Sequence, residues 1–248
     1  MSKSGLNWYK YAAPVNFYPL AGKMIPVFAV LSVIAIVVGL YLGFFVAPVQ
    51  DAQQHEYYRI IFVHVPAAWM GMFLYVLLAI YAGVGWAFNA RLGSMMATAI
   101  APTGAIFTFI SLVTGSLWGR PAWGVYWVWD ARMTSTLILM FLYIGFISLQ
   151  SSIEDPRRAD RAGAVLALVG VVNVPIIYFS VQWWNTLHQG ATITATSFKM
   201  ASSMRPALLI MVAGFWIYSI AVVLARVRSI ILERESEAPW LAEPVASA

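Results

Sequence analysis

The 248-residue sequence contains no cysteine. That absence excludes disulfides, thiolate-bound zinc, iron–sulfur clusters and thiol nucleophiles, so any metal chemistry must draw on histidine, methionine or oxygen ligands. Charge is also scarce, at 10% of residues against about 25% in an ordinary soluble domain. Acidic residues are the scarcer sign, with ten Asp and Glu against fifteen Lys and Arg. The chain offers no nucleophile, glycine-rich phosphate loop or paired acids of the kind a soluble-type enzyme uses, which removes the usual hydrolase and transferase constellations. It has no internal repeat, and no basic run dense enough to expect a nucleic-acid partner.

What the chain has in quantity is apolar length. Hydrophobic residues make up 61% of it, gathered into six blocks at about 24–46, 60–86, 94–117, 133–149, 162–181 and 206–225, each close to the roughly 20 residues a bilayer span requires. The expected fold class is therefore an all-α integral membrane protein with six transmembrane helices. The first block lacks a small-residue cleavage pattern and reads as a retained anchor. Pro66, Pro102 and Pro175 fall inside blocks and read as bends. Lys and Arg are retained on the cytoplasmic side of short loops. Lys3, Lys10, Lys23, Arg91, Arg157, Arg158, Arg161, Arg226, Arg228 and Arg234 fall at one end of the spans, and Arg59, Arg120, Arg132, Lys199 and Arg205 at the other. Both termini are expected in the cytoplasm, with the net charge of +5 meeting anionic membrane lipid. The organisation expected is a cytoplasmic segment 1–23, one membrane domain 24–225 and a cytoplasmic tail 226–248.

The outward connections under this topology are the rich ones. One is WGRPAWGVYWVWD, 118–130, with four tryptophans in thirteen residues, and the next carries Trp183 and Trp184. Tryptophan belts the membrane interface in many proteins, and that reading suits any one of these residues. A cluster inside a single connection reads differently: a loop that lies flat as a platform for a large planar ligand, since each indole buries about 150–250 Å². Asp130 reads either as a helix N-cap or as part of the site. The three histidines fall in or beside the same connections. His55 sits in the charged stretch HEYYR and reads as solvated surface. His64 lies one turn inside the second span and His188 in the last outward loop, and two imidazoles from separate segments suit the two axial positions of a haem iron. Arg59 and Arg132 are near in sequence and could face carboxylates, or could snorkel to the interface.

Trp118, Gly119, Pro121, Trp123, Gly124, Trp127, Trp129, Asp130, Arg132 and Thr134 together resemble the tryptophan-rich signature of the haem-handling membrane proteins of cytochrome c assembly. With six spans and RIIFVHVPAAWM around His64, the chain is similar within that group to the haem exporter protein C family, also called cytochrome c maturation protein C. The resemblance covers about residues 50–225. It implies a multi-pass protein of the bacterial inner membrane that binds haem b (iron protoporphyrin IX) at the periplasmic face. His64 and His188 would be its axial ligands, and Trp118, Gly119, Trp123, Trp127, Trp129, Asp130, Arg59 and Arg132 would surround it. It further implies delivery to a periplasmic haem chaperone, with ATP-binding cassette transporter subunits and a small single-span subunit as partners. The protein would then be a haem-transfer subunit and not an enzyme, with any part in covalent attachment to the chaperone left open.

Three other readings are distinguishable. A b-type electron-transfer cytochrome would place histidines near the middle of spans, where this chain has none. A cytochrome c synthase sharing the tryptophan segment would carry further spans or further intramembrane histidines. A scaffold subunit would use the aromatic loop as a protein-binding surface and would bind no haem.

Overall fold

A computed structural model describes residues 8–48, 55–190, 197 and 199–242. The segments 49–54 and 191–196, inside two of the outward connections expected above, lie outside the described residues. Helices α1 (Pro14–Tyr41), α2 (Ile61–Ala87), α3 (Arg91–Trp123), α4 (Ala131–Ser152), α5 (Pro156–Gly170), α6 (Asn173–Trp183) and α7 (Arg205–Arg234) follow in order, with a short α8 (Pro239–Ala242) at the C-terminal end. No strand occurs among the described residues. Six helical segments are long and apolar enough to cross a membrane: Pro14–Val46, His55–Ala87, Arg91–Trp123, Ala131–Ser152, Pro156–Trp183 and Ser202–Arg234. They coincide with the six apolar blocks.

The fifth span is α5 and α6 in series. Pro175 has no N–H to offer the carbonyl of Val171 and its ring crowds that carbonyl. The helix accordingly breaks at Val171–Val172 and restarts at Asn173. Asn173 Nδ2 then donates to the Ser135 carbonyl of α4 at 2.8 Å, which pins the break against its neighbour.

Lipid tails are as apolar as leucine, so helices in a membrane associate through close packing, which small residues permit. The α2–α3 pair is built this way. A Cβ on Gly71 would stand 2.7 Å from Thr108 Oγ1, and one on Gly85 would stand 2.4 Å from Ser94 Oγ. Between those two contacts Tyr75 of α2 meets Tyr143 of α4 edge to face at 4.9 Å, both fully buried. The Tyr143 hydroxyl donates to the Gly71 carbonyl at 2.8 Å and occupies the space a side chain at Gly104 would need. Helix α1 is peripheral: it packs on α7 through Gly39 against Met211 and Gly214 against Ile36, and leaves Val30, Val33 and Val37 exposed.

The two ends of the bundle differ in chemistry. At the end carrying both termini, Arg234 grips Asp160 through both guanidinium nitrogens at 2.8–3.1 Å, Arg91 pairs with Glu235 at 3.0 Å, and Arg226 donates to Thr103 at 2.9 Å. The other end is aromatic, and here the structure corrects one expectation. The stretch 118–130 is not a loop throughout, because α3 continues to Trp123 before Gly124 (φ 81°) ends it, donating its N–H to the Arg120 carbonyl at 3.0 Å. A left-handed residue at this position is a common helix stop, and glycine takes it without a Cβ penalty. Only 124–130 is irregular, so the flat platform becomes two indoles on the last turns of a helix followed by a short return segment.

Candidate functional site

His64 sits on the first turn of α2 and His188 on the segment that follows α6. They are 124 positions apart in sequence, yet their ring centres lie 6.1 Å apart with the planes within 24° of parallel. A metal–nitrogen bond of about 2.0–2.1 Å and about 1.1 Å from nitrogen to ring centre on each side put two imidazoles roughly 6 Å apart across one metal ion. The gap between the rings is of that size.

Both histidines are braced by tryptophans of α3. Trp118 meets the His64 ring edge-on at 5.9 Å, and Trp123 meets the His188 ring edge-on at 5.5 Å. Trp118 and Trp123 are five residues apart on one helix, and α2 and the 184–190 segment bring one histidine to each. One space beside the pair is walled by Thr108, Ser111, Arg132, Thr136 and Ile177. A second is walled by Trp118, Gly119, Ala122, Leu187 and Gln189. His64, Gly115, Trp123 and His188 line both. Both spaces therefore border the imidazole pair, where a planar ligand centred on a metal would extend.

The polar groups around His188 favour a neutral imidazole beside a cation. Burial pushes the His188 imidazole down to about 3, with the Arg132 charge and then His64 acting in the same direction. Its ring is therefore uncharged at neutral pH, the form that binds a metal, and its Nδ1 is buried without a partner. The His64 Nδ1 is within 3.0 Å of the Thr114 hydroxyl. Arg132, on the first turn of α4, donates to the Ile177 carbonyl at 3.1 Å and forms no ion pair with a carboxylate among the described residues.

The remaining expected residues lie elsewhere. Asp130 caps α4, its Oδ1 accepting from Met133 N at 2.8 Å, while its Oδ2 is buried without a partner. The capping reading of this residue is therefore correct, and the second oxygen remains for a ligand or partner. Trp127 and Trp129 pack edge to face on each other at 5.3 Å, outside both spaces, and Trp129 is exposed. Arg59 is buried away from the histidines. It donates to the Gly43 and Ala47 carbonyls at 2.8 Å each and pairs with Glu56, tying the His55–Ile60 turn to the end of the first span. Those bonds give Arg59 a structural task and weigh against a role in holding carboxylates. His55 is exposed, as expected.

Sequence reasoning missed Thr114, Gly115 and Ser111. A Cβ on Gly115 would stand 3.0 Å from His64 Cε1, so its absence makes room for the ring. The signal was present: Ser111, Thr114, Gly115, Trp118 and Gly119 recur at helical spacing, and such a stripe faces one neighbour. The periodicity marks the face, but nothing in it says that the neighbour carries a histidine.

Among the described residues no group of three or more His, Asp or Glu side chains could hold a metal ion. Two opposed imidazoles alone suit a metal whose other ligands arrive with it, as they do in a metalloporphyrin. The fold and site thus define a multi-pass helical membrane protein with a pair of histidines braced by tryptophans at one end of its bundle. Comparison with known proteins agrees: the family model described as heme exporter protein C matches residues 7–242, and the chain belongs to that family. The heme exporter protein C of Escherichia coli (strain K12) is 46% identical over 235 residues, 95% of each chain. That of Haemophilus influenzae is 42% identical over 234 residues, 94% of this chain and 95% of the relative. A ccmC-like mitochondrial protein of cytochrome c biosynthesis from Marchantia polymorpha is 41% identical over 193 residues, 78% of this chain and 82% of the relative.

Proposed function

We propose that this protein holds haem b between His64 and His188 at the periplasmic face of a bacterial inner membrane and delivers it for c-type cytochrome assembly. The receiver is a periplasmic haem chaperone, and ATP-binding cassette transporter subunits and a small single-span subunit are the companions. The reading rests above all on the 6.1 Å opposition of the two histidines, at the separation one bridging iron requires. When bound, haem supplies the iron and its four equatorial nitrogens, and the protein supplies the rest. His64, held on a helix, is the fixed ligand. His188, on an irregular segment between exposed Leu187 and Gln189, is the ligand that can let go. Trp118 and Trp123 bracket the pair, Gly119 keeps the second space open, and Arg132 offers its charge to a propionate. Trp127, Trp129 and the free oxygen of Asp130 form the rim where a receiving protein would dock. In this reading the protein is a haem-transfer subunit and not an enzyme, with any part in covalent attachment to the chaperone left open.

Purified from haem-replete cells, the protein should show the Soret and α/β absorbance bands of a six-coordinate, bis-histidine haem. A colourless protein that remains colourless on titration with haem would leave the scaffold reading in its place.

The orientation has its own test. The Cys-free chain is a ready background for single cysteines. Gln53→Cys, Gly124→Cys and Thr194→Cys should react with an impermeant thiol reagent in intact cells, and Asp155→Cys and Glu237→Cys only after lysis. The reverse pattern would put the histidine end in the cytoplasm.

A further inference from the structure

Ligation by a histidine needs one particular ring nitrogen to be free of its proton, and an imidazole left to itself can carry that proton on either nitrogen. We propose that Thr114 is a positioning residue that fixes the His64 tautomer, holding the proton on Nδ1 and leaving the Nε2 lone pair for the ligand. The inference rests on the reading of His64 as a haem ligand and adds to it the device that prepares that ligand.

The argument is a count of protons around one hydroxyl. Thr114 Oγ1 is 2.6 Å from the Ile110 carbonyl one turn back on α3 and 3.3 Å from the Ser111 carbonyl. A carbonyl only accepts, and a threonine hydroxyl has a single proton, so that proton is committed to the backbone. The Thr114 oxygen can then only accept from the third atom beside it, His64 Nδ1 at 3.0 Å. Gly115, the next residue, completes the seat: with no Cβ, it lets Cε1 approach where a side chain would stand at 3.0 Å. The nitrogen left over is Nε2, on a ring that lines both spaces of the site. A ligating histidine that donates its other N–H to a fixed acceptor is better oriented and more basic, and loss of such an acceptor typically costs roughly 10–100-fold in metal affinity.

The test uses the full-length protein in nanodiscs, in two stages. In the haem-free protein carrying ¹⁵N-labelled histidine, the three histidines are assigned by single replacement, and the His64 tautomer is read from its ring nitrogen shifts. The native chain and Thr114→Ser, which keeps the hydroxyl, should both show the proton on Nδ1. Thr114→Val, which keeps the shape and removes the acceptor, should show a mixture of tautomers. In the second stage haem is added. Thr114→Val should retain it roughly 10–100-fold more weakly, with the iron reduced at a higher potential because the ligand is less basic, while Thr114→Ser stays close to native. If Thr114→Val keeps the proton on Nδ1 and loads haem as the native chain does, the Thr114 assignment is wrong. If instead the native chain and His64→Gly give the same haem spectrum, it is the ligand reading that fails, whatever the tautomer in the haem-free state.

Discussion

Replacing either His64 or His188 with glycine is expected to strip the protein of most of its haem and turn the remainder five-coordinate, and imidazole at about millimolar concentration should restore a six-coordinate spectrum. The reasoning follows from the opposed pair. If each ring fills one axial position, deleting one leaves a vacant coordination site of imidazole shape and removes no other function. The loss should exceed the roughly 10–100-fold that removing an outer partner of a ligand costs. The two positions should respond unequally. The seat vacated at 188 opens beside exposed Leu187 and Gln189, so small imidazole reaches it easily. The seat at 64 is buried against Thr114 and Gly115, and glycine inside a helix costs a further ~1 kcal/mol relative to alanine. Rescue should therefore be fuller for His188→Gly. His55→Gly should leave the spectrum unchanged. A His55 variant as damaging as the other two, or no response to imidazole at either position, would mean that the iron is not held by this pair.

The second large effect is expected at Trp123, and it separates a ligand cradle from an interfacial belt. Trp123 stands edge-on to His188 and lines both spaces of the site. Removing about half of an indole's roughly 200 Å² from contact, at about 25 cal/mol per Å², costs about 2.5 kcal/mol, close to a seventyfold loss of haem affinity. Trp123→Ala should show that loss while the protein inserts and accumulates normally. Trp127→Ala and Trp129→Ala remove indoles that lie outside the two spaces, so haem retention should change only severalfold in them, and delivery to the receiving protein should suffer instead. Normal haem content in Trp123→Ala with poor insertion would mark that residue as a belt anchor. Equal losses at all three positions would mean that the 124–130 segment closes over the ligand.

How much of this was legible beforehand follows the range of the forces involved. Each of the six spans is a local property, since about 20 apolar residues in sequence are enough to commit a segment to the bilayer, and the blocks read from composition match the six helices. The break at Val171–Val172 was also local: Pro175 forbids one particular hydrogen bond four residues back. The end of α3 was misjudged because glycine and proline inside Trp118–Trp123 suggest a loop. In the fold, the helix tolerates Pro121 near its last turn and stops only at Gly124, where the backbone turns left-handed.

The sequence by itself determined the class of protein, the number of its spans and the residue types that could meet a metal, because hydropathy and the absence of cysteine act position by position. Only the tertiary structure decided which of those residues meet. The 6.1 Å approach of His64 and His188 depends on α3 delivering Trp118 and Trp123 to two different neighbours, and no pattern along the chain encodes that distance. The same packing separated Arg132, which faces the histidines, from Arg59, which ties the end of the first span to the turn before α2. It also turned Thr114 and Gly115 from ordinary helix residues into the seat of the His64 ring. Burial and hydrogen bonding between segments far apart in sequence assign such roles, and those contacts exist only once the helices have packed.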